Sequence, residues 1–89
     1  MRTIWKFTIP IDDVAEISMP AAAEILSIQM QGAALTAWAV VHEGSENATR
    51  RFYVVGTGHP LPIAAWSSRF LATVQSGALV WHIFDGGER

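Results

Sequence analysis

The chain has 89 residues, a formal net charge of −2 and no cysteine. It is long enough for one domain only, too acidic for the clustered Lys and Arg of a nucleic-acid binder, and unable to form a disulfide framework, a thiolate nucleophile or a Cys-type zinc site. Apolar residues make up 51% and charged residues only 16%, below the roughly 25% of an average soluble domain, so part of the apolar surface is expected to meet a partner or a second copy.

The period is two from the start. Trp5, Phe7, Ile9 and Ile11 alternate with Ile4, Lys6 and Thr8, which predicts a half-buried strand whose end is weakened by Pro10. The opening has no long apolar run before a small-residue cleavage site, so no signal peptide is expected. The longest apolar stretch, Ala33 to Val41, is interrupted by Thr36 and is too short to span a bilayer as a helix. No membrane association is expected, and the cysteine-free composition suits a cytoplasm.

Val14 to Met19 predicts a second strand, with Ile17 and Met19 on one face and Glu16 and Ser18 on the other. Ala21 to Glu24 has helix propensity, but so short a segment behind Pro20 sustains a turn at most. Ile25 to Gln31 is the cleanest alternation: Leu26, Ile28 and Met30 face one way, Ser27, Gln29 and Gln31 the other. Leu35 to His42 is apolar on both faces and is expected at a central position. The polar Glu43–Asn47 stretch predicts a hairpin loop, with Arg50 to Thr57 pairing back.

Gly56-Thr57-Gly58-His59-Pro60-Leu61-Pro62 is the main break, since its glycines and prolines exclude regular structure. Ile63 to Ser68 is compatible with a short helical turn, a loop or the start of a strand. Arg69 to Gln75 predicts a strand with Phe70, Ala72 and Val74 on one face. Ser76-Gly77 turns the chain into Ala78 to Asp85, which is again two-sided and therefore central. Gly86 to Arg89 is expected to fray. About seven short, mainly antiparallel strands at spacings of about 8–12 residues predict one all-β domain over 1–89, a compact sandwich or small barrel with at most one helical turn.

No His, Asp or Glu sits at catalytic or metal-ligand spacing, and no serine occupies a nucleophile elbow. The expectation is a protein that is not an enzyme and has no metal or other cofactor. His42 and His82 fall within strands, where an imidazole most often makes a local hydrogen bond. Thr57, Gly58 and His59 form the sharpest local feature. Glycines on either side of Thr57 expose backbone N–H groups that can hold an anion, with Arg50 and Arg51 in the preceding strand as further charge. That pattern suits a nucleotide, although the following helix of a phosphate loop is missing. Arg50 and Arg51 should point to opposite faces, one solvated and one lying over an aromatic such as Tyr53 or Trp38. Trp66 serves either as a core plug or as an exposed anchor for a partner.

Ile4-Trp5-Lys6-Phe7, Ile9-Pro10, Met19-Pro20, Ala23 to Gln29, Trp38-Ala39, Thr49-Arg50-Arg51-Phe52, Gly56-Thr57-Gly58-His59-Pro60 and Gly77 to His82 together resemble a family of short phage and prophage proteins of unknown function. The resemblance runs in order over nearly the whole chain. That family usually has a polar, often acidic stretch after the Gly-Thr-Gly-His-Pro turn, whereas Leu61 to Ser68 here is apolar and carries Trp66. The resemblance implies a phage or prophage genome and a bacterial cytoplasm rather than a mechanism. The functional expectations are a small binding protein that occupies a host protein's surface, such as an anti-CRISPR-like inhibitor of host defence; a sequestering protein for a nucleotide or other anion; or a homo-oligomeric accessory protein.

Overall fold

Period-two alternation supplies the strands, and the chemistry between them decides which neighbours pair. The computed structural model describes residues 1–89. It contains β1 (Arg2–Thr8), β2 (Val14–Pro20), β3 (Glu24–Gln31), β4 (Ala34–His42), β5 (Asn47–Gly56), β6 (Arg69–Ser76) and β7 (Leu79–Glu88), with a single 3-10 turn, η1 (Ile63–Ala65). Every ladder is antiparallel. The strands form two sheets, β1-β4-β3 and β2-β5-β7-β6. The domain is thus all-β, as its periodicity predicts, and a sandwich rather than a barrel.

Two hairpins are built alike. Gly32-Ala33 joins β3 to β4 and Gly77-Ala78 joins β6 to β7. In each the glycine alone has a positive φ, 60° and 59°, as a type II′ turn requires at its first central position. The expected pairing of Arg50–Thr57 with Leu35–His42 does not occur. Both edges of β4 are already taken by β1 and β3, so the Glu43–Asn47 segment carries the chain to the other sheet, where β5 pairs with β2 and β7. β4 and β7 are interior strands as expected, and β5 is a third.

The core lies between the sheets. Leu35, Ala37, Ala39 and Val41 of β4 share it with Met19, Ile28, Phe52, Val54 and Ile83. Small residues on β4 leave room for the Phe52 ring, which is fully buried. Three expectations about side-chain direction fail here. A bulge between Ile25 and Ser27 turns Ile25 inward and leaves Leu26 exposed. A second bulge between Phe70 and Ala72 puts Phe70 on the outer face, edge-on to Phe84 with ring centroids 5.6 Å apart. An extra residue shifts the phase of alternation, and periodicity alone cannot locate it. Ile9 is buried, but Ile11 is exposed because β1 ends at Thr8 and the Pro10–Asp13 bend takes it off the sheet.

The predicted frayed tail is also paired. β7 runs to Glu88, and the Arg89 amide donates to the Thr49 carbonyl at 2.8 Å. Gly86 is the extra residue of a third bulge, between Arg51↔Gly87 and Phe52↔Asp85. A Cβ there would lie 2.8 Å from Tyr53 Cε2 and 3.0 Å from Arg51 Cγ. Gly86→Ala should therefore cost about 1–3 kcal/mol, the usual cost of overpacking. Urea unfolding would check it, and an unchanged midpoint would mean that this end of β7 does not pack as described.

Candidate binding site

The crossover from β5 to β6 forms the site. Both strands flank β7 and run antiparallel to it, so residues 57–68 must pass over β7. Tyr53 and Val55 point away from the face that carries Phe52 and Val54. They are nevertheless buried, together with Ala65, and none of the three belongs to the main core. The crossover thus covers the outer face of the four-stranded sheet, with η1 packed on β7.

Local chemistry holds this segment. Gly58 adopts φ 87°, the Thr57 amide donates to the Val80 carbonyl at 3.2 Å, and the His59 amide donates to the Gly56 carbonyl at 3.0 Å. The Ala65 and Trp66 amides close 3-10 turns onto Pro62 and Ile63. Trp66 Nε1 donates to the Leu61 carbonyl at 3.2 Å. The outcome is a braced loop with Ala65 inside and Leu61, Ile63 and Trp66 outside, the last two the most exposed. Ile63 is 77% and Trp66 70% exposed. Trp66 is therefore not a core plug. Ile63 was not singled out by sequence reasoning, and its only signal was its place in the one apolar segment without a clear period.

Behind the loop is a cleft of about 290 Å³ lined by Asp13, Val54, Val55, Gly56, His59, Pro60, Pro62 and Trp81. The His59 ring fills the space that a side chain at Gly56 would need, with Nδ1 3.0 Å from a Cβ placed there. Beside it, His82 makes the local hydrogen bonds expected of a strand histidine. Its Nε2 is 2.7 Å from Thr57 Oγ1 and its Nδ1 2.9 Å from Thr73 Oγ1. Thr57 is thus tied down through its hydroxyl.

The arginines lie elsewhere. They do point to opposite faces, but they lie in the first half of β5 while Thr57, Gly58 and His59 follow its end, about 20 Å away at strand rise. Arg50 turns inward. Its Nε and Nη2 donate to Asp85 Oδ1 and Oδ2 at 2.9 and 2.6 Å, and its Nη1 donates to the Ala23 carbonyl at 2.8 Å. Burial alone would raise the Asp85 pKa. The Arg50 hydrogen bonds, the Gly87 amide and the charges of Arg50 and Arg69 outweigh it and hold the carboxyl below its usual value. Arg51 lies on the outer face beside Tyr53 and donates to Glu16 at 3.2 Å, while Arg89 also bonds Glu16. Those two bonds, Arg89's first, lower the Glu16 pKa. The fold thus keeps Thr57, Gly58, His59 and Trp66 in one crossover segment, buries Tyr53 on the outer face of the sheet beside Arg51 and Phe84, and commits Arg50 and Arg51 to carboxylates of the same chain.

Residues 1–89 match the family described as Domain of unknown function (DUF7352). The chain belongs to this family. No curated protein and no solved structure matches it. The match covers every strand and the crossover, so the site lies within the family domain. No helix of the domain is long and apolar enough to cross a membrane.

Proposed function

We propose that this domain is a non-enzymatic binding module that occupies the surface of another protein through the 57–68 crossover. The supporting observation is the braced loop that holds Trp66 and Ile63 in solvent. Exposing large apolar side chains on an ordered segment is unfavourable unless a partner covers them, and an immobilised tryptophan loses little entropy on docking. In the phage or prophage setting implied by the sequence resemblance, the partner is a host protein in the bacterial cytoplasm. Inhibition of a host defence system, in the manner of an anti-CRISPR protein, is the role this setting favours.

The test is retention of a host protein by the immobilised domain at physiological salt. Trp66→Ala should weaken that retention by about 30-fold, as expected when a hot-spot truncation costs about 2 kcal/mol. Because the indole lies mostly outside the fold, the thermal midpoint should hardly move. If the domain retains no host protein, or if Trp66→Ala retains it as well as wild type, the proposal fails.

A further inference from the structure

The cleft behind the loop contains strand backbone that has no partner in the chain. Successive residues of a strand turn their N–H and C=O groups to alternate sides. The Val54 amide donates to the Asp13 carbonyl at 3.3 Å, and the Thr57 amide donates to the Val80 carbonyl on β7 at 3.2 Å. Val55 and Thr57 therefore face β7, whereas Val54 and Gly56 face the side of β2. But β2 begins at Val14, opposite Tyr53, so no strand lies beside β5 beyond Asp13. The Gly56 carbonyl accepts from the His59 amide, while the Val54 carbonyl and the Gly56 amide have no partner on that side. Both residues line the cleft and are buried, and buried backbone groups without a partner are rare.

The pattern of free groups selects the occupant. An antiparallel partner needs both the N–H and the C=O of one residue, but the Val54 N–H and the Gly56 C=O are already used. One residue of a parallel strand bridges the remaining pair, its N–H donating to the Val54 carbonyl and its C=O accepting from the Gly56 amide. A chain parallel to β5 has its N-terminal end at Val54, where Asp13 and the start of β2 close the line. It must begin there, so the docked residue is a first residue with a free α-ammonium. Asp13 is the one formally acidic residue of the cleft, and none of the three ion pairs of the chain uses it. Its carboxylate complements an ammonium and repels an anionic ligand. A volume of about 290 Å³ suits the end of a chain rather than a long segment.

We propose that this cleft captures the N-terminal residue of another polypeptide, with its α-ammonium between the Asp13 carboxylate and the Val54 carbonyl and its carbonyl on the Gly56 amide. Capture of a terminal amine is a recurring mode of peptide recognition. The test is fluorescence anisotropy with fluorescein-tailed peptides that differ only in their first residue. Free-amine peptides should bind, and their Nα-acetylated twins should bind about tenfold more weakly, as the loss of a charge-assisted hydrogen bond predicts. Asp13→Asn changes an exposed side chain and keeps the backbone carbonyl. It should weaken the free-amine peptides by a similar factor and leave the acetylated ones unchanged. Hydrogen exchange of the Gly56 amide should slow when the tightest free-amine peptide is bound. The proposal is overturned if no free-amine peptide binds, if acetylation or Asp13→Asn leaves binding unchanged, or if the Gly56 amide exchanges as fast with peptide as without. None of these readouts involves the Trp66 surface, so the two proposals stand or fall separately.

Discussion

Replacing Asp85 by alanine should remove about 3–5 kcal/mol of stability, the usual effect of deleting one partner of a buried ion pair. The side chains of Arg50 and Asp85 are only 13% and 11% exposed. Without the carboxylate, the guanidinium keeps a single hydrogen bond, to the Ala23 carbonyl, and its charge keeps only the weaker pull of Glu88. A domain of this length is stabilised by about 4–13 kcal/mol in all, so the loss is a large share. The double variant Arg50→Met/Asp85→Leu should recover most of it, because packed apolar groups replace buried ion pairs at little cost. Chemical denaturation of the wild type and the single and double variants would measure this. A single variant within 1 kcal/mol of wild type would show that the pair is effectively solvated.

The same pair sets an acid limit. The Asp85 pKa is lowered in the folded state, so the unfolded chain takes up the proton first as pH falls. The contribution is therefore complete above the ordinary aspartate value of about 3.9. It is lost as pH falls from there through the depressed folded value. Asp85→Asn should be less stable at neutral pH and should lose less on acidification, as thermal midpoints between pH 7 and pH 3 would show.

Phe52→Ala should cost about 3–5 kcal/mol, the range for aromatic truncation in a packed core. Phe52 is the largest of the fully buried side chains. It comes from an interior strand and lies in a core whose β4 wall includes Ala37 and Ala39, both at 0% exposure. Those residues have no reach to close the space that would open, so little of the cavity can collapse. Phe52→Leu should cost clearly less. A Phe52→Ala loss below 1 kcal/mol would mean that the two sheets are not closely packed there.

The candidate site was legible in part. The Gly56–Pro62 break announced an irregular segment, and Trp66 stood out as a tryptophan without a period around it. Its exposure did not follow from sequence, because a loop tryptophan packs inward or outward according to what lies beneath. Here Ala65 takes the inward position against the outer face of the sheet, and Trp66 is left outside. The arginines misled for a related reason. Adjacency in sequence suggested shared charge with the turn, but an extended strand puts six residues of travel between Arg50 and Gly56. Asp85, the true partner of Arg50, lies 35 residues further along the chain.

Length, alternation and turn residues by themselves determined one all-β domain, the approximate strands, the turn at Gly77 and the central places of β4 and β7. These follow from short-range physics: a period of two, a glycine where φ must be positive, and apolar residues on both faces of a covered strand. Tertiary structure alone decided that β4 and β5 belong to different sheets, that Leu26 and Phe70 turn outward at bulges, and that Gly86–Arg89 completes an interior strand. Each depends on which edges are already occupied and on where an extra residue fits against a neighbour, and those facts exist only once distant segments have met.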